Sequence, residues 1–265
     1  MEELHRPQLR EVQPHRPLSH PRAAPLAAFR RAATQRLRAL GTPERAVGEK
    51  AYLKSSLEHW GVDAPGVRAT ARALLGEFPA VQERDALLAV VTDLWSRPVH
   101  ELRALAVALL ERRVGALEPD DLDLLERMIR QSAGWAFVDW ISTRLVGPLV
   151  ERQPHLLSTL DRWAVDGDFW VRRAALLALL LPIRRGGGEW SRFVRYADPM
   201  LDDPEFFIRK AIGWVLREAS KKAPERVVRF IAPRVDRLSG LTFREATRRL
   251  PSAAHLRLQR LRDAH

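Results

Sequence analysis

The chain has 265 residues, 46% of them hydrophobic and 29% charged, and its 44 Lys and Arg against 33 Asp and Glu leave a formal charge of +11. It contains no cysteine, which excludes disulfides and thiolate metal sites, and no apolar run reaches the roughly 18 residues of a transmembrane helix. So basic a chain suits a polyanionic partner, nucleic acid above all, although arginine-rich solvated helix faces would produce the same surplus.

Residues 1–24 carry His5, His15 and His20 among repeated prolines and little hydrophobicity. This composition predicts a disordered basic leader without a signal-peptide core, and its histidine spacing fits no regular metal-ligand pattern. From residue 25 to 265, apolar residues recur every three or four positions. Pro65-Gly66, Pro98, Pro119, Pro154, Gly186 to Gly188, Pro204, Pro224 and Gly240 punctuate segments of ordinary helix length. Strand alternation is missing, so the predicted class is all-α. One series of predicted helices covers 82–96, 119–132, 155–164, 190–200 and 224–238.

A second series repeats. VHELRALAVALLERR from Val99, WVRRAALLALLLPIRR from Trp170 and FIRKAIGWVLREASKK from Phe207 each place a cation before small and apolar residues. Aligning Arg103, Arg173 and Lys210 calls for a unit near residue 138, where FVDWISTRLV supplies Asp139. Arg68 and Arg244 extend the register outward. The positions 68, 103, 139, 173, 210 and 244 step by 34 to 37 residues. Each is followed six residues later by a leucine: Leu74, Leu109, Leu145, Leu179, Leu216 and Leu250. Such a period with two helices per unit predicts an α-solenoid of about six HEAT-like repeats with a basic concave face.

Asp139 breaks the sign of that register. A carboxylate among Trp135, Phe137, Val138, Trp140 and Ile141 is costly to desolvate unless something pairs with it or uses it. One reading is structural, pairing with a neighbour such as Arg173. The other is functional, a carboxylate held where positive charge develops. Trp135 lies four residues before Asp139 on the same helical face, and Trp214 lies four after Lys210.

FFIRKAIGWVLREASKKAP (206–224) resembles a characteristic segment of the AlkD-like DNA alkylation repair glycosylases, which are HEAT-like-repeat proteins. AYLKSSLEHWGV, RPVHELRALAVALL, GWAFVD and FWVRRAALLALL resemble further family elements in the same order. The resemblance spans about residue 25 to the C-terminus. It implies hydrolysis of the N-glycosidic bond of cationic alkylpurines, 7-methylguanine and 3-methyladenine, in duplex DNA, without base flipping. Asp139 matches the catalytic aspartate, Trp135 and Trp214 the tryptophans that pack on the deoxyribose, and Arg173 an arginine that contacts the backbone near the lesion. Tyr52 matches a tyrosine reaching toward the groove. Arg217 and Lys221 fit phosphate contacts on one helical face, and Lys210, Arg103 and Arg244 extend the expected DNA-binding set. His59-Trp60 and Asp63 depart from the family's pattern.

The expected partner is therefore double-stranded DNA carrying alkylated bases, bound by a monomer in the bacterial cytoplasm, with no membrane association, no metal and no cofactor. A non-catalytic HEAT-repeat nucleic-acid-binding protein is the alternative, and a protein-binding scaffold a more distant one.

Overall fold

The computed structural model describes residues 23–132 and 134–264. Of the expected leader, residues 1–22 lie outside this range, and the first helix already begins at Ala23. The helices in chain order are α1 (Ala23–Leu40), α2 (Pro43–Leu53), α3 (Ala64–Glu77), α4 (Arg84–Trp95), α5 (His100–Arg112) and α6 (Leu122–Arg130). A bent helix follows, α7 (Trp135–Ile141) running through Ser142–Val146 into α8 (Gly147–Arg152), and then α9 (Leu157–Trp163), α10 (Phe169–Ala178) and α11 (Leu180–Arg184). The chain ends with α12 (Trp190–Met200), α13 (Phe206–Ala219), α14 (Pro224–Ile231), α15 (Gly240–Thr247) and α16 (Ser252–Asp263). Among the described residues extended pairing is confined to one parallel bridge, Glu58 to Val99.

The repeat is a stack. Helices α3, α5, α7–α8, α10, α13 and α15 pack one on the next, while α4, α6, α9, α12 and α14 form a second row behind them. This is the all-α helical-repeat fold expected from the period. The register position is the fifth residue of α3, α7, α10, α13 and α15, and the fourth of α5. The leucine six residues on is the seam that holds the row together: Leu74, Leu109, Leu145 and Leu216 are 0% exposed. Burying a side chain of that size contributes about 1.5–3 kcal/mol, so six in register define the spacing between units.

Short side chains fix the helix starts. Asp63 accepts from Gly66 N at 2.8 Å, Asp168 from Trp170 N at 2.8 Å and Ser239 from Thr242 N at 3.0 Å. Asp63, the odd acid of the opening element, is thus a cap. Gly213 permits close helix approach. A Cβ there would sit 2.6 Å from Glu245 Cβ and 3.2 Å from Thr242 O, so α13 and α15 meet at a distance that only glycine allows. No helix among the described residues is long and apolar enough to cross a membrane.

The inner helix that carries Asp139 is irregular. Pro148 has no N–H to offer the carbonyl of Arg144, and the ladder widens into a π-turn at Ser142–Val146. Ser142 Oγ donates to Val138 O at 2.5 Å and Thr143 Oγ1 to Asp139 O at 2.7 Å, which occupies the carbonyls nearest the bend.

Candidate active site

Four inner helices converge on a cleft of about 200 Å³ lined by Trp135, Asp139, Arg173, Phe207, Lys210, Trp214, Arg217 and Glu245. Trp135 and Asp139 stand one turn apart on α7, and Lys210 and Trp214 one turn apart on α13, so each helix presents one charge and one indole. The close approach at Gly213 brings Glu245 of α15 against the same wall. Larger recesses elsewhere, such as the one of about 480 Å³ beside Trp190 and Arg229, lie away from these residues.

Arg173 grips Asp139 in a fork. Its Nε donates to Oδ1 at 2.7 Å and its Nη2 to Oδ2 at 2.8 Å. Its Nη1 donates to the carbonyl of Phe207, and its guanidinium lies 5.8 Å from the centre of that ring. The Asp139 side chain retains 16% exposure and opens on the cleft, whereas that of Arg173 retains 3%. A carboxylate offers about four lone-pair directions. The fork uses two, leaving each oxygen one direction toward a guest. Burial pushes the Asp139 carboxyl above its ordinary 3.8, while the hydrogen bonds and charge of Arg173, and the charge of Lys210, pull the other way without overcoming it.

The aromatic wall extends to the helix-capped segment before α3. Tyr52, 73% exposed at the end of α2, meets Trp135 edge to face, with ring centres 5.9 Å apart and planes at 88°. Trp140 takes the opposite side of α7. It donates from Nε1 to Glu111 at 2.9 Å and lies under Arg68, whose guanidinium is 4.7 Å from its ring centre. Trp135, not Trp140, is the groove-side tryptophan.

The structure redistributes the expected cations. Arg173 is 2% exposed and gives N–H groups to both oxygens of Asp139 and to the carbonyl of Phe207, so the structure places it as the partner of Asp139 at the cleft wall rather than as an exposed cation. Arg103 lies over Trp95, donates to Arg97 O at 3.1 Å and Gln131 O at 3.0 Å, and lines a separate cavity of about 220 Å³ on the other side of Trp135. It stitches repeats together rather than reaching the cleft. Arg217 faces the cleft but pairs with Glu245, and Lys221 pairs with Glu218 at 2.6 Å, outside the cleft. Lys210 and Arg244 are exposed. Arg68 is tied to Glu111 at 3.2 Å. The uniform stripe implied by the register is therefore broken: Arg68 is exposed but paired with Glu111, and among the described residues the exposed register cations without an ion pair, Lys210 and Arg244, lie in the C-terminal repeats.

Phe207 and Glu245 line the cleft and had not been singled out. Phe207 sits three residues before Lys210 on the same face, a spacing legible in advance; Glu245 enters only because Gly213 lets α15 close.

A family model for DNA alkylation repair enzyme matches residues 33–250 of the chain. Among solved structures, a predicted DNA alkylation repair enzyme from Enterococcus faecalis superposes with a TM-score of 0.71 at 27% identity, covering 80% of this chain and 97% of that one. A second, smu.31 from Streptococcus mutans UA159, gives a TM-score of 0.48 at 15% identity, covering 74% and 97%. Among curated proteins none matches.

Proposed function

The chain belongs to the DNA alkylation repair enzyme family, and from that premise we propose that it is a DNA glycosylase that hydrolyses the N-glycosidic bond of cationic alkylpurines such as 7-methylguanine and 3-methyladenine in duplex DNA. The observation that carries this reading is the cleft in which one oriented carboxylate, Asp139, lies between two indoles, Trp135 and Trp214.

An alkylated purine with a formal positive charge is already a good leaving group. When C1′–N breaks, the bonding pair moves to the base, which departs neutral, and the sugar becomes oxocarbenium-like. The demand on the protein is therefore a fixed negative charge near C1′ rather than an acid at the base. Asp139 meets it with its two cleft-facing lone pairs, and Arg173 keeps the carboxylate plane from turning as charge develops. The same carboxylate aligns a water for attack at C1′ and receives its proton. The faces of Trp135 and Trp214 pack on the deoxyribose and favour its growing charge, an effect of about 0.5–2 kcal/mol per ring. Lys210, beside the cleft and exposed, suits a phosphate next to the lesion.

The fork on Asp139 also supports a purely structural role, which would leave a nucleic-acid binder without chemistry. Release of free base from methylated duplex DNA separates the two. The wild-type chain should release 7-methylguanine and leave abasic sites, and Asp139→Asn should lower the rate by orders of magnitude with little change in DNA affinity. Equal release by the two proteins would overturn the catalytic reading.

A further inference from the structure

A second cluster of ionisable groups lies outside the cleft. Glu49 comes from α2, His59 from the segment between α2 and α3, and His100 opens α5. One ligand-capable atom of each lies within 4.8 Å of the others. The His59 side chain is 1% exposed, and its Nδ1 stands 3.7 Å from Glu49 Oε2. Both His59 ring nitrogens and that Glu49 oxygen lack a hydrogen-bond partner among the described residues. Buried polar atoms left in this state are uncommon and costly, and an ion is one of the standard resolutions.

The backbone is built to hold this cluster together. Glu58 N donates to Pro98 O and His100 N to Glu58 O, both at 2.9 Å, which straps His59 beside His100. Glu101 Oε1 then accepts from the N–H groups of Trp60 and Gly61 at 2.9 and 2.7 Å. The two imidazoles stack with centres 4.4 Å apart and planes 16° from parallel.

We propose that Glu49, His59 and His100 bind one divalent transition-metal ion of the zinc class. Two imidazole nitrogens and one carboxylate oxygen form the donor set that such ions favour over magnesium or calcium, which take oxygen. Near-parallel rings cannot both aim an in-plane lone pair at one ion. Binding therefore turns the imidazoles out of their stack and draws the donors in to about 2.0–2.2 Å from the metal, with the fourth position open to water.

The ion anchors α2. That helix has no buried residue of its own, yet its last turn carries Tyr52 against Trp135. A metal shared by α2, the strapped segment and α5 fixes a helix that apolar packing holds weakly, and with it the aromatic wall of the cleft. Metal binding stands independently of base release.

The full chain carrying H5Q, H15Q and H20Q, which removes the leader's own imidazoles, is stripped with chelator and titrated with Zn²⁺ by calorimetry and with Co²⁺ by visible absorption. One ion per chain at micromolar affinity or tighter, a ligand-field band of low-coordinate Co²⁺, and slowed amide exchange across 43–53 on Zn²⁺ addition are expected. Glu49→Gln and His59→Gln should each weaken binding at least tenfold, with the helical circular dichroism of Glu49→Gln unchanged because its helix contributes nothing to the core. No saturable binding, or one-to-one binding that both variants retain, overturns the site; binding without slowed exchange overturns the anchoring.

Discussion

Arg173 holds Asp139 through both carboxylate oxygens, at 2.7 and 2.8 Å, from a position almost sealed from solvent. The pair is at once a link between repeats and, in the proposed reaction, the device that aims the carboxylate. These roles separate in a double-variant cycle. Removing Arg173 leaves the Asp139 carboxylate buried without its partner at a cost of about 3–5 kcal/mol, so Arg173→Met should melt well below wild type. Combined, Asp139→Asn with Arg173→Met should recover much of that loss, yet release no more base than Asp139→Asn alone. Recovery of activity in the double variant would make the pair structural.

Arg173 as an orienting residue makes a prediction opposite to that for a phosphate contact. Each neutralised phosphate contributes about 0.9 to the slope of log affinity against log salt. Arg173→Gln should leave that slope unchanged while lowering the rate of base release, because it removes the fork together with a charge that touches no phosphate. A slope reduced by nearly one unit would return Arg173 to the DNA backbone.

The pH dependence follows from the burial of Asp139, which raises its carboxyl above 3.8 in the fold. The ionised form is the working one, so release should fall as pH drops through that raised value, and phosphates of bound DNA push it higher still. Asp139→Asn should lack this acid limb. For stability the sign is reversed from that of a surface carboxylate: the folded chain holds the Asp139 proton more tightly than the unfolded one, so this group favours folding at low pH and loses that contribution as pH rises through the folded value. Rate profiles of the two proteins check the assignment, and a limb shared by both would place the titration elsewhere.

The repeat was legible because leucines and charges recur at one helical position, and local pattern reports that directly. Asp139, Trp135, Lys210 and Trp214 were legible for the same reason, since one-turn spacings put them on shared faces. The fate of each cation was not. Arg103, Arg173 and Lys210 occupy one register, yet one bonds loop carbonyls, one a carboxylate, and one faces solvent. That depends on what the adjacent repeat offers some 35 residues away. Glu49, His59 and His100 likewise meet only through the strap between Glu58 and the start of α5, so no spacing rule could join them.

Trp214 and Tyr52 should differ in weight. Trp214 lines the cleft directly, and Trp214→Ala should lower kcat/KM by roughly 10- to 30-fold, the equivalent of about 1.4–2 kcal/mol, with Trp214→Phe retaining part of it. Tyr52 acts through an edge-to-face pair worth about 0.5–1.5 kcal/mol, so Tyr52→Ala should cost less than Trp214→Ala. A larger effect at Tyr52 would mean that it touches DNA itself.

Gly213 sets the distance on which the C-terminal wall depends. A methyl group at this position meets Glu245 Cβ at 2.6 Å and the Thr242 carbonyl at 3.2 Å, and backbone cannot yield as a flexible side chain can. Gly213→Ala must push α15 from α13, at a cost of about 1–3 kcal/mol for overpacking. The displacement also carries Glu245 away from Arg217 and widens the cleft beside Trp214. The variant should melt lower than wild type, and at a temperature where it remains folded it should lose base release by more than its loss of DNA affinity. Glu245→Ala relieves the contact with the residue's Cγ, 3.5 Å from the added methyl, but leaves the Cβ and carbonyl contacts in place. Gly213→Ala with Glu245→Ala should therefore recover little stability. Full recovery in that double variant would show that the side chain, rather than the helix backbone, sets the approach of α15.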